Sequence, residues 1–288
     1  MKNIFTLTFL ILSQIIFAQI NEKSLLWEIS GNGLKQNSYI FGTMHIMCAG
    51  DVEMTSRIQN AFNKTQSVLL ELDMDDPSLM MKMMQASLSQ DGKTVSEKLG
   101  KELSAKVDTI LRKNSPMTLQ MVNNLNLPTL SMQIGMFGLD CEMDLGYDML
   151  FVQEAKANNK EIHGLESVEL QIQTLLSQSD EESKKAIEYI VNNFGEVKSE
   201  MKKLITTYKS EDVQDLYDMT KATFEDPKYP QGNLDDFLDN RNVAWIPIIE
   251  KSIKEKPIFI AVGAAHLAGE KGVINLLRKE GYKVTAVK

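Results

Sequence analysis

Apolar residues along this chain gather in two ways: short unbroken runs rich in β-branched and aromatic side chains, and longer stretches with helical spacing. Six segments are of the first kind and predict strands: Ser24 to Ser30, Ser38 to Met44, Ser67 to Asp73, Lys160 to Glu166, Pro257 to Gly263 and Tyr282 to Val287. The first two flank Gly31-Asn32-Gly33-Leu34-Lys35-Gln36 and read as a hairpin with a long turn. A helix is expected from Glu53 to Lys64, with Ile58, Ala61 and Phe62 on one face. From Pro77 to about Asn159 the pattern is helical, Asp76 serving as cap and Pro77 as first helical residue. Pro116 and Pro128 mark helix boundaries there, and the acids of Cys141 to Asp148 read as helix-start residues. A second helical block runs from about Glu169 to Ser252, and Gly269 to Glu280 closes the helical set.

Strand-like runs separated by long helical patterns predict an α/β fold, a mixed β-sheet core with large helical insertions packed on and beside it. The insertions fall at about 77–159 and 169–252 of one domain spanning 19–288. Met1 to Ala18 stands apart: one basic residue, Lys2, then an apolar run from Ile4 to Phe17 and a small residue at Ala18. That is the form of a secretory signal, cleaved after Ala18, and the run is shorter than the roughly 20 residues that span a bilayer. The expected product is exported, periplasmic or secreted, with no membrane span.

Charge narrows the partners. The formal net charge is −8, and loss of Lys2 with the leader makes the product more acidic still, so neither nucleic acid nor an anionic membrane surface attracts it. The two cysteines, Cys48 and Cys141, form an even count in an exported chain and are expected to pair. Their bond would close a loop of about 93 residues, which the chain-entropy argument values at about 4–5 kcal/mol. The other reading makes Cys48, three residues past His45, a metal ligand or a His-activated nucleophile. Met80, Met81, Met83 and Met84 read as adaptable core filling, with a flexible apolar-peptide groove or a soft-metal site as alternatives.

Only three histidines occur in 288 residues, and two of them end the same local pattern. Phe41-Gly42-Thr43-Met44-His45 and Val262-Gly263-Ala264-Ala265-His266 each close an apolar run with Gly-x-x-His. Both imidazoles are thereby placed at the carboxyl end of a strand, the edge at which α/β sheets bind ligands. Glu71 and Glu166 also end strand-like runs, and burying a carboxylate there is costly unless it is paired or used. Arg241 is either a surface ion-pair residue or a group reaching over the sheet edge toward an oxyanion or carboxylate. Nothing recurs around His163, which reads as structural. No nucleophile elbow, Walker loop, dinucleotide fingerprint or His-Glu-x-x-His helix is present.

Leu-Trp-Glu-Ile-Ser at Leu26, Tyr-Ile-Phe-Gly-Thr-Met-His ending at His45, Glu-Leu-Asp at Glu71, His-Gly-Leu-Glu ending at Glu166, Arg-Asn at Arg241 and Val-Gly-Ala-Ala-His-Leu-Ala-Gly-Glu-Lys-Gly-Val from Val262 together resemble the TraB/GumN family, which includes the Tiki-type metalloproteases. The resemblance runs from about Leu25 to Val287. It implies that His45 and His266 belong to an active centre in which Glu71, Glu166 and Arg241 take part. It also implies a more distant kinship to erythromycin-esterase-like hydrolases and to a haem-binding lipoprotein. The expectation is an exported hydrolase of peptide bonds, dependent on a divalent transition metal such as manganese, cobalt or zinc held by His45, His266 and Glu71. A non-catalytic module sequestering a peptide, haem or metal, and a metal-independent His/Glu esterase, remain as alternatives.

Overall fold

The computed structural model describes residues 20–139, 141–228 and 232–288, so the expected signal segment 1–18 lies outside the described residues. Six strands form one mixed sheet: β1 (Leu26–Gly31), β2 (Ser38–Thr43), β4 (Ser67–Leu70), β6 (Glu161–Gly164), β7 (Ile258–Gly263) and β8 (Tyr282–Ala286), in the order β6-β4-β7-β2-β1-β8. β6, β4, β7 and β2 run parallel, while β1 pairs antiparallel with β2 and with β8. Burial follows the sequence pattern. β2 and β4 are buried along their whole length, as parallel strands covered on both faces must be, whereas the edge strand β8 alternates buried Tyr282 and Val284 with exposed Lys283. The β1–β2 turn places Gly31, Asn32 and Gly33 at φ of +79°, +45° and +78°, a left-handed path that explains its glycines.

The main core covers the sheet and contains Trp27, Phe41, Phe62, Phe151, Trp245 and Phe259. A second cluster joins the two helical blocks: helices Lys101–Asn114, Leu127–Met136 and Asp180–Asn192 share Val107, Leu111, Leu130, Ile134, Ile187 and Ile190.

Several elements differ from the sequence reading. The strands expected through Asp73 and Glu166 stop at Leu70 and Gly164, because the chain turns there. Glu166 N still donates to Glu71 O at 3.0 Å, and a β-carbon on Gly164 would lie 2.6 Å from Asp73 N. The helix expected from Glu53 starts at Ser56, where Thr55 provides the N-terminal cap. The helix expected from Pro77 starts at Leu79, since Asp76 folds back onto Ser78, accepting from its N at 2.8 Å and its Oγ at 2.9 Å. Within the stretch read as purely helical, β5 (Met143–Leu145) pairs antiparallel with β3 (Ile46–Cys48) in a small second sheet. The methionines expected in the core are mostly outside it. Met80, Met81 and Met84 are 79%, 57% and 59% exposed, and helix Leu79–Ser87 buries no residue.

Candidate active site

Parallel pairing of β4, β7 and β2 brings their carboxyl ends to one edge, and the loops leaving that edge carry Glu71, His266 and His45. The two Gly-x-x-His segments lie side by side but staggered. Gly42 pairs with Val262, and Thr43 pairs with Gly263. After Gly263 the chain enters the 3-10 turn Ala264–His266, which folds back over β2 and buries His266, while after His45 it runs out into β3. Gly42 permits this crossing, for a β-carbon there would lie 2.8 Å from Leu267 Cδ1 and 3.0 Å from Ala264 Cα. Gly263 has another use. A β-carbon on it would stand 3.3 Å from Glu71 Oε1, 3.5 Å from His266 Cδ2 and 4.0 Å from His45 Nε2, so its missing side chain leaves a small space bounded by all three groups.

Helix Asn240–Glu255, entered through a π-helical turn at Asp235–Asp239, brings Arg241 to the same edge. Its guanidinium is buried and all five of its N–H groups are engaged. Nε donates to Glu166 Oε2 at 2.9 Å, and Nη2 to Glu166 Oε1 at 2.7 Å and to Glu71 Oε2 at 2.6 Å. Nη1 donates to Phe237 O at 2.9 Å and to His266 Nε2 at 3.1 Å. Two buried carboxylates are thus tied by one forked cation, the arrangement that offsets a desolvation cost of several kcal/mol per ion. Glu166 also accepts from Trp245 Nε1 at 3.1 Å, and Glu71 from Gln171 Nε2 at 3.1 Å and Gly263 N at 2.8 Å. Burial alone would raise the Glu71 pKa, but His266, His45, Arg241 and the Gly263 N–H outweigh it and hold it at about 2.

Because a guanidinium can only donate, His266 Nε2 presents its lone pair to Arg241, and the proton sits on Nδ1, which donates to Asn242 Oδ1 at 2.6 Å. Asn242 is oriented in turn by its own donations to His266 O and Lys271 O, at 3.3 and 3.0 Å. Burial lowers the His266 pKa to about 3, opposed by Glu71 and reinforced by the positive charges of Arg241 and His45, so this imidazole is neutral. The His45 ring is 63% exposed. Its Nδ1 donates to Asp148 Oδ2 at 2.8 Å, and Asp148 Oδ1 accepts from Thr43 Oγ1 at 3.0 Å. Desolvation opposes charge on this ring, but Asp148, by charge and hydrogen bond, and Glu71 behind it raise its pKa to about 9.

All five residues expected at the site therefore meet: His45, Glu71, Glu166, Arg241 and His266. His163 is apart from them, exposed beside Glu161 at 3.6 Å. Sequence reasoning missed Asp148, read as a helix-start acid, and Asn242, Trp245, Gln171 and Thr43. Asp148 does lie in the first turn of helix Tyr147–Ala157, which hid its second task. Cys48 and Cys141 are joined, with Cα atoms 5.6 Å apart, so Cys48 is neither ligand nor nucleophile.

The donor set suits a divalent transition ion. Each imidazole has its Nδ1–H fixed on an oxygen acceptor, the arrangement that aims the other nitrogen as a ligand, and Glu71 Oε1 adds an anionic oxygen 3.9 Å from His266 Nε2. Among the described residues no three such side chains stand close enough for coordination, and Arg241 Nη1 occupies the His266 Nε2 lone pair. His45, His266 and Glu71 are the residues that would hold the ion once that bond gives way.

The fold and this edge define an α/β protein with a buried, charge-compensated His/Glu/Arg centre at the carboxyl ends of its parallel strands. The chain belongs to the TraB/PrgY/gumN family, which it matches over residues 25–286. No curated protein and no solved structure matches it.

Proposed function

We propose that this protein is an exported, metal-dependent hydrolase that cleaves peptide bonds at the edge formed by β4, β7 and β2. The observation that carries this reading is the pair of imidazoles, each tied by Nδ1 to an oxygen and bordering, with Glu71 Oε1, the space beside Gly263. A manganese, cobalt or zinc ion held by His45, His266 and Glu71 would supply Lewis acidity and a water of lowered pKa. His45, the exposed member, meets an arriving peptide first, and Asp148 fixes its ring. Glu71 Oε1 has one N–H partner and keeps a lone pair for the ion, whereas both oxygens of Glu166 are committed to Arg241 and Trp245. Arg241, with no free N–H, acts through its charge and by holding the two glutamates in place. Export is supported by the apolar leader and by the disulfide, which persists in oxidising compartments.

The Arg241 bond to His266 Nε2 favours a second reading, a metal-free hydrolase in which the Asp148–His45 pair handles the proton. The deciding experiment strips the purified protein with a chelator, restores manganese, cobalt or zinc one at a time, and follows cleavage of a peptide library. Cleavage lost on stripping and restored by one ion is expected. Cleavage that survives stripping, yet disappears in His45→Ala, would establish the metal-free reading. Peptide binding without cleavage under every condition would mean a sequestering module.

A further inference from the structure

The order of residues around His45 and Asp148 is that of a clasp. On one strand stand His45, β3 and Cys48; on the other Cys141, β5 and Asp148. Ile46 pairs with Leu145 and Cys48 with Met143. The ladder continues at both ends, where Ala49 N donates to Glu142 O at 2.7 Å, Gly146 N to His45 O at 2.8 Å and Tyr147 N to Met44 O at 3.3 Å. Gly146 lets the strands close at the inner end, where a β-carbon would lie 1.8 Å from Met44 O. The disulfide closes the outer end. A two-stranded ribbon three residues long does not hold itself together in water, so the covalent bond has more to do here than in a six-stranded sheet. Cys48 is half-buried and Cys141 exposed, within reach of a solvent thiol.

We propose that Asp148 is the positioning residue for His45, and that the Cys48–Cys141 bond keeps it in place, so that reduction of this one disulfide loosens the active centre while the sheet stays folded. A dithiol reductant would bring the change about: its two thiols close to a disulfide, giving up two electrons and two protons, while the Cys48–Cys141 S–S bond becomes two thiols. Thr43 and His45 would then lose the carboxylate that their hydroxyl and Nδ1–H now share. His266 would not, because Asn242 and Arg241 hold it from helix Asn240–Glu255, on the other side of Gly263.

The inference rests on the proposed function only in placing His45 in the active centre, and its test does not need activity. In the full protein labelled with 15N-histidine, the oxidised form is expected to show slowly exchanging Nδ1–H signals for both His45 and His266. Asp148→Ala, the paired substitution Cys48→Ser with Cys141→Ser, and dithiol reduction should each remove the His45 signal and leave that of His266. Calorimetric titration with zinc or manganese alone should show affinity falling about 10- to 100-fold in Asp148→Ala and in the paired Ser variant, the usual loss when an outer partner of a ligand is removed. An unchanged His45 signal in the paired Ser variant would overturn the proposal. So would joint loss of the His45 and His266 signals, which would make the disulfide a general staple. If the oxidised protein takes up no metal, the metal-dependent reading fails while the histidine signals still decide this one.

Discussion

His45 and His266 share a motif yet differ in what surrounds them, and their substitutions should separate accordingly. His45→Ala removes a largely exposed ring together with the cationic partner of Asp148, so urea denaturation should show a loss of about 1 kcal/mol, and the proposed hydrolysis should be abolished. His266→Ala strands Asn242 Oδ1 and an Arg241 N–H in a buried setting, at about 1–3 kcal/mol for each unsatisfied group. Arg241→Met leaves two buried carboxylates without their cation and should cost about 3–5 kcal/mol. Arg241→Lys should recover little of this, since one ammonium cannot reproduce a fork of five N–H groups. The same residues set an acid and an alkaline limit on stability. His45, raised from 6.5 to about 9, contributes stability that is complete below pH 6.5 and disappears as pH rises through 9. His266, lowered to about 3, stays unprotonated in the fold while the unfolded chain takes up a proton, so stability falls as pH drops from 6.5 toward 3. Glu71, lowered from 4.5 to about 2, adds a further loss below 4.5. Melting temperatures of chelated protein should therefore peak near pH 6.5, with the steeper fall on the acid side because solvent screens His45; a plateau from pH 4 to 9 would contradict the assignment.

At the scale of elements, the two motif glycines perform separable tasks. Gly42 lies under the turn that carries His266, so Gly42→Ala drives a methyl group into Ala264 and Leu267 and should destabilise by about 1–3 kcal/mol. Gly263 has a backbone conformation open to alanine, with φ −51° and ψ 135°, and its added methyl would enter the space between Glu71, His266 and His45. Gly263→Ala should thus leave the denaturation midpoint nearly unchanged and remove the proposed metal binding and cleavage. The opposite pattern, an unstable but active Gly263→Ala, would show that this space is not where chemistry occurs. Helix Leu79–Ser87 offers a control. Replacing Met80, Met81 and Met84 together by Gln should shift stability by no more than about 0.5 kcal/mol, whereas core methionines would cost several times that.

For the whole molecule, the sequence determined which segments become strands, because an apolar run long enough to be covered on both faces leaves its record in consecutive residues: β2, β4 and β7 are such runs. It placed helices in most of the intervals, favoured pairing of the cysteines, and marked His45, Glu71, Glu166, Arg241 and His266 as the residues to watch. It also determined the family, since those motifs occur in order along the chain. Only the tertiary structure decided what those groups bind. Asp148 reaches His45 across the chain through a small sheet of two three-residue strands, too short to leave a pattern, and in its own neighbourhood it is an ordinary acid in a first helical turn. Asn242 gained its role from a histidine on another element. Arg241 read more readily as a surface ion-pair residue, and only its packing shows five N–H groups committed inward. The methionines of helix Leu79–Ser87 carry the apolar character of a core, but a short helix is buried only if another element covers it, and that cover is set by the arrangement of distant segments. Local sequence fixes conformation and hydrophobic pattern, whereas hydrogen-bond partners, exposure and pKa depend on contacts between residues far apart in the chain.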